Sequence, residues 1–385
     1  MDGSWTSDFE VRPGPRLIVG PGSIDRLGRH ARELCAVRAL VVSDPGIVEA
    51  GHTAGALESL AEAGVATTVF DAFGENPTTD DVEAGAALAR TFRPDLLVGL
   101  GGGSSMDCAK GINFLFSCGG RMQDYRGRDS TRAPMLPSIA VPTTAGTGSE
   151  TQSFALVSDP ATGLKMACGA PGAAFHVAIL DVNLTLTQPL SLVALTGIDA
   201  LSHAIESHVS RAATPASRLF SRDAFRLLAT NLPGMFTDGG SIAARSAVQF
   251  GAALAGLAIE NSMLGAAHAL ANPLTAAHGV AHGQAVGLML PHVVRFNSSA
   301  CGAAYAELLQ EIGVEVPADA AGERLAGWLS ELLGAARLAT SLTAAQVAAP
   351  ETTHLAAQAA SQWTAGFNPR PVTATDLAAL YEAAR

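Results

Sequence analysis

Charge is scarce in this chain. Only 15% of its 385 residues are Asp, Glu, Lys or Arg, and acids outnumber bases to leave a net charge of -11. Binding to nucleic acid calls for a basic stripe, so that class of partner is excluded, whereas an anionic cofactor held at one local site is not. Cysteine is sparse too: Cys35, Cys108, Cys118, Cys168 and Cys301 are scattered, odd in number and without a close pair. A disulfide framework is not expected, and a reducing cytoplasm is. No uninterrupted apolar run is long enough to cross a membrane; even the Ala-rich stretch 250–277 is broken by Glu260, Asn261, His268 and Asn272. The first residues carry Asp2, Asp8 and Glu10 without a basic region and apolar core, which argues against a signal peptide.

Hydrophobic residues, by contrast, make up 48% of the chain. At this length one core stops growing, so two domains are expected. Strands and helices alternate through the first half: strands at 17–19, 38–43, 67–70, 96–100, 138–141 and 179–181, with helices over 24–35, 53–63 and 80–92. The turn at 158–163 reads as a hairpin leading to Lys165. After Gln188-Pro189 the pattern becomes helical, with runs at 191–207, 217–231, 243–272 and 282–296. These patterns predict an α/β Rossmann-like domain, 1–187, followed by an all-α domain, 188–385.

Two strands empty into unusual turns. The strand at 96–100 runs into Gly101-Gly102-Gly103-Ser104-Ser105, with Asp107 and Lys110 following in a helical context. Glycines let the backbone approach an anion and the amides at a helix start point at phosphate, although neither a Gly-x-Gly-x-x-Gly fingerprint nor a P-loop is present. The strand at 138–141 leads into Pro142, Thr143, Thr144, Ala145, Gly146, Thr147, Gly148, Ser149 and Glu150. Two such turns at strand C-termini mark the place where an open α/β sheet binds its ligand. Asp44 follows an early strand; it either accepts hydrogen bonds from adenosine ribose, favouring NAD over NADP, or caps the turn before Pro45.

Six of the ten histidines fall between Gly197 and His292. Asp199 and His203, four residues apart in a helical context, share one face. His268 and His282 can join them only if the chain turns between the two, and Asn272-Pro273 and the turn-prone Ala277-His278-Gly279 supply breaks. One carboxylate with three imidazoles suits Fe or Zn; a rival set uses His278 with His282. A nucleotide site and a metal site together imply hydride transfer: the ion binds an alcohol oxygen, and the nicotinamide takes the hydride. His278 is the nearest unassigned imidazole for a proton path.

The motifs together resemble the iron-containing (group III) alcohol dehydrogenase family, on the fold shared with glycerol dehydrogenase and dehydroquinate synthase. The resemblance rests on Gly20-Pro21-Gly22, Asn76-Pro77, the 101–107 and 142–150 blocks, Gly197-Ile198-Asp199-Ala200-Leu201-x-His203-Ala204-x-Glu206, His268, His282-Gly283 and Leu290-Pro291-His292. It implies metal ligands Asp199, His203, His268 and His282, with Fe²⁺ or Zn²⁺, and makes His278 a non-ligand. It also implies NAD bound by Gly101, Gly102, Gly103, Ser104, Asp107, Thr143, Thr144 and Thr147, with Asp44 marking the NAD preference and Lys165 counted among the cofactor residues. Phe154 and Trp363, the latter near Asn368-Pro369-Arg370, fall at substrate-pocket positions. Where members carry a proton-relaying histidine, this chain has Asn272, which cannot titrate near neutrality. The implied substrate is a small primary alcohol or aldehyde, and the implied assembly a homodimer or larger. The alternatives are a maleylacetate or phosphonoacetaldehyde reductase, the latter with Lys165 facing the phosphonate, and a dehydroquinate synthase-like lyase.

Overall fold

A computed structural model describes residues 8–128, 133–347 and 352–385; the start of the segment read for a signal peptide lies outside them. The described strands are β1 (Arg16–Val19), β2 (Arg38–Val42), β3 (Ala66–Phe70), β4 (Leu96–Gly101), β5 (Gly127–Arg128), β6 (Ser138–Pro142), β7 (Phe154–Asp159), β8 (Leu164–Gly169) and β9 (Val177–Leu180). Between them run α1 (Leu27–Glu33), α2 (Pro45–Glu49), α3 (His52–Glu62), α4 (Thr79–Phe92) and α5 (Gly103–Cys118). Six strands form a parallel sheet in the order β1-β9-β6-β4-β2-β3, and β5, β8 and β7 form a small second sheet built on the β7–β8 hairpin.

Successive side chains of a strand point to opposite faces, and both faces of this sheet are covered. Ala39 and Val41 join Leu96, Val98 and Leu100 in one core, while Leu40 and Val42 join Leu97 in the other. That double burial is why these strands are continuous apolar runs in the sequence. From β2 the chain steps outward to β3, then returns to the far side of β2 as β4. The strand order therefore reverses between β2 and β4, and the crevice at their C-terminal ends is where such sheets take ligands.

The rest is helical: α6 (Leu190–Val209), α7 (Pro215–Asp238), α8 (Ile242–Glu260), α9 (Ala266–His278), α10 (His282–Gln310), α11 (Ala318–Ala335), α12 (Thr352–Ala360) and α13 (Ala374–Ala383). The single helix expected over 243–272 is in fact α8 and part of α9. The break falls at Asn261, whose side-chain amide accepts from the Arg12 N–H (2.7 Å) and donates to the Arg12 carbonyl (2.9 Å). The break expected at Asn272-Pro273 is absent, and Pro273 lies within α9. The Tyr381 hydroxyl donates to the Leu270 carbonyl (2.6 Å), three residues before Pro273. The chain turns instead at Gly279, left-handed at φ 66°. α10 runs past the expected 296 and kinks at Cys301, where φ is -137°.

The chain groups into two compact units, Gly14–Ala200 with Asn231–Gly256, and Leu201–Thr230 with Leu257–Arg385 and the segment before Gly14. Among the described helices α8 has the length and apolarity of a membrane span. It is a core helix: Ala252, Ala253, Ala255 and Ala258 are buried, and the Thr151 hydroxyl donates to the Ala253 carbonyl.

Candidate metal centre and dinucleotide site

At the crevice, β4 ends on Gly101 at φ 143°, and α5 starts one residue after the extended Gly102 with no side-chain cap on its first amides. Those amides are a ready anion site. A Cβ on Gly101 would lie 2.2 Å from the Ser105 Oγ, and one on Gly103 would lie 2.8 Å from Thr147. Glycine alone keeps the cradle open at these positions. The Thr143 N–H donates to the Gly101 carbonyl (2.9 Å), tying the two turns together. The Thr143 Oγ1 is buried with no partner among the described residues, and Thr144 and Thr147 stand half-buried beside Gly102 and Gly103. Amides, hydroxyls and an open backbone surface fit a dinucleotide pyrophosphate.

Asp44 is half-buried at the end of β2. Its Oδ1 accepts from the Ile47 N–H (3.2 Å), capping α2, and its Oδ2 accepts from the Ser105 hydroxyl (3.0 Å). The turn cap before Pro45 is thus formed, and it leaves the carboxylate facing the same crevice. Ser104 accepts from the Asn76 N–H (3.2 Å) through its Oγ.

Asp107 turns inward, under the second turn. Its carboxylate accepts from the Ser149 hydroxyl (2.7 Å), while the buried Lys110 ammonium donates to the Ser149 carbonyl (2.7 Å), the Ser149 Oγ (2.9 Å) and the Phe154 carbonyl (2.7 Å). Burial raises the Asp107 pKa, and the Lys110 charge and the Ser149 hydrogen bond oppose the rise. Lys110 was visible in the sequence only as a neighbour of the glycine turn, because its partners lie about forty residues away in the chain.

Phe154 is buried, with its ring over Gly169: a Cβ on that glycine would come within 2.4 Å of the ring. Lys165 donates to the Asn76 Oδ1 (2.7 Å). Its side chain is open to solvent, yet protein crowds it at longer range. Desolvation lowers its pKa, against the attraction of Asp107, Asp199 and Glu75.

The second cluster stands on α6, α9 and α10. One donor atom each from Asp199, His268 and His282 lies within 4.8 Å of the other two. Donors on one ion bound at about 2.1 Å sit at most about 4.2 Å apart, so the set is within side-chain adjustment of ion-binding distances. A carboxylate with two imidazoles is the donor chemistry that Fe or Zn takes. His203, one turn after Asp199 on α6, is buried and stacks on His268 with ring centroids 4.9 Å apart; the His268 and His282 rings are 5.4 Å apart.

The rival pairing of His278 with His282 on one helix does not form, since the two lie on α9 and α10 and His278 is exposed at the end of α9. The Asn272 side-chain amide donates to the Gln362 Oε1 (3.0 Å). Trp363 is 45% exposed and meets Phe367 edge-on. Glu206 belonged to the sequence motif without a role; its carboxylate accepts from the His268 Nδ1 at 2.5 Å.

Comparison with known proteins gives two adjoining matches: residues 14–182 match the family described as iron-containing alcohol dehydrogenase, and residues 193–385 the C-terminal part of the Fe-containing alcohol dehydrogenase family. The NAD-dependent methanol dehydrogenase of Bacillus methanolicus is 34% identical over 302 residues, covering 78% of this chain and 79% of that one. The crystal structure of a 1,3-propanediol oxidoreductase matches with a TM-score of 0.95 at 30% identity, covering 98% of this chain and 100% of that one. A sulfoacetaldehyde reductase from Bifidobacterium kashiwanohense, solved with NAD+, matches with a TM-score of 0.89 at 27% identity, covering 98% and 99%.

Proposed function

Because the chain belongs to the iron-containing alcohol dehydrogenase family, we propose that Asp199, His268 and His282, completed by His203, hold the divalent ion of its reaction. The protein is a metal-dependent, NAD(H)-linked oxidoreductase acting on alcohol or aldehyde substrates. The observation that carries the assignment of the ion is the convergence of three donor atoms from three helices within 4.8 Å.

A bound Fe²⁺ or Zn²⁺ supplies Lewis acidity, lowering the pKa of an alcohol or polarising an aldehyde carbonyl. The amides at the start of α5, with Gly101, Gly102, Gly103, Ser104, Thr143, Thr144 and Thr147, hold the dinucleotide, and Asp44 accepts from the ribose hydroxyls and repels a 2′-phosphate. Asp107 and Lys110 shape that cradle from beneath. Oxidation of a primary alcohol releases a proton as well as a hydride. Asn272 cannot take that proton, so it leaves through water or through the exposed His278. Phe154 and Trp363 are the residues assigned to the substrate pocket. We place the boundary between the dinucleotide-binding and metal-binding parts near residue 187, and the protein in the cytoplasm as a homodimer or larger assembly. All five cysteines are unpaired, which suits a reducing compartment.

Lys165, reachable from solvent, favours a second reading in which the carbonyl substrate carries a phosphonate, sulfonate or carboxylate tail. The similar sulfoacetaldehyde reductase takes a substrate of that charge type. Anaerobic loading with Fe²⁺ or Zn²⁺ followed by a panel of alcohols and anionic aldehydes, read by absorbance of the reduced cofactor, tests both. Turnover of uncharged primary alcohols supports the first reading; turnover confined to anionic aldehydes, and lost in Lys165→Met, supports the second. Turnover without net formation or consumption of NADH would instead indicate a lyase.

A further inference from the structure

The amino end of α9 carries His268 on its first turn, and that end has no local cap. Its N-cap residue, Gly265, offers no side chain to the orphan amides. The acceptors come from elsewhere in the fold. Glu206 accepts from the Ala267 N–H through Oε1 (2.7 Å) and from the His268 Nδ1 through Oε2 (2.5 Å). The Asn368 Oδ1 accepts from the Ala266 N–H (3.3 Å) and from the Asn297 Nδ2 (3.0 Å). The Asn368 Nδ2 returns a hydrogen bond to the Asn297 Oδ1 (2.8 Å) and another to the Arg370 carbonyl (2.7 Å). Glu206, Asn297 and Asn368 are all buried. Gly265 is the residue that lets both acceptors in, since a Cβ there would stand 3.0 Å from the Glu206 Oε1 and 3.1 Å from the Asn368 Oδ1.

We propose that Glu206 and Asn368 are positioning residues for the metal centre, capping α9 from outside and holding His268 in one tautomer and one place. Glu206 presents acceptors, so the His268 Nδ1 carries the proton and Nε2 the lone pair, the form in which an imidazole binds a metal. Asn368, locked by Asn297, fixes the start of the same helix two residues earlier. The Asn368-Pro369-Arg370 segment thereby acquires a task apart from the neighbouring Trp363. This inference rests on the reading of His268 as a ligand.

The test is Zn²⁺ binding to the apoprotein by competition with a chromophoric chelator, together with ¹⁵N NMR of histidine-labelled apoprotein. Glu206→Gln, which keeps the side-chain size and one acceptor oxygen, should weaken Zn²⁺ binding by about 10- to 100-fold. It should also shift His268 from the Nδ1–H tautomer to a mixture. Asn368→Ala and Gly265→Ala leave every ligand in place and should weaken binding several-fold without altering NAD+ affinity; they decide the matter if the Glu206 variant does not fold. Zn²⁺ affinity and His268 tautomer unchanged in these variants, while His268→Ala loses the ion, would overturn the proposal and leave the ligand assignment standing. If His268→Ala binds Zn²⁺ like the parent protein, the ligand assignment fails, and the positioning role fails with it.

Discussion

Glu150 lies in the turn that follows β6, and burial pushes its carboxyl up to about 7 from an ordinary 4.5. Between those values the folded protein binds a proton that the unfolded chain has released, so stability present at low pH is lost as pH rises through 7. The loss is of order 3 kcal/mol at most. Glu150→Gln should therefore lose less stability than the parent protein between about pH 5 and pH 8 in denaturant titrations; parallel curves would show that Glu150 titrates normally. Asp44→Gly should raise kcat/KM with NADP relative to NAD, and an unchanged ratio would remove Asp44 from cofactor selection. At this scale the sequence was legible where chemistry recurs at short range. Asp199 and His203 one turn apart, and three glycines after a strand, are local signals. Glu206 and Lys110 were opaque because their partners, His268 for one and Ser149 and Phe154 for the other, are about forty to sixty residues distant in the chain.

Helix α9 and its junction with α10 show which parts of an element can be read in advance. Its apolar pattern and the Gly279 turn after it could be read in advance, but its separation from α8 at Asn261 and its continuation through Pro273 could not: Asn261 pairs with the distant Arg12, and the Tyr381 hydroxyl donates to the Leu270 carbonyl. The strands were more legible, because burial on both faces makes each a short apolar run bounded by turn residues. Gly279 ends α9 in a left-handed conformation, and a Cβ there would meet nothing within 4 Å. Gly279→Ala therefore isolates the backbone penalty, about 1–2 kcal/mol, and should lower the melting temperature by that equivalent. An unchanged melting temperature would mean that the turn is not held in this conformation. Since this turn leads into His282, the variant should also bind Zn²⁺ more weakly.

For the molecule as a whole, the two-part architecture and the reaction class followed from motif order, and the family matches bear both out. The ion links function to stability, because a ligand that binds only the folded state stabilises it. At free metal about 100 times Kd this contributes about 2.7 kcal/mol, so removing the metal with a chelator should lower the melting temperature by several degrees and adding Fe²⁺ or Zn²⁺ should restore it. The restoring effect should vanish in His268→Ala while stabilisation by NAD+ survives. The most direct measurement is anomalous scattering at the zinc edge from crystals of the Zn²⁺-loaded protein. The account predicts one dominant peak about 2.0–2.2 Å from a carboxylate oxygen of Asp199 and from ring nitrogens of His268 and His282. Zinc found only on exposed carboxylates, with those three side chains unliganded, would contradict it.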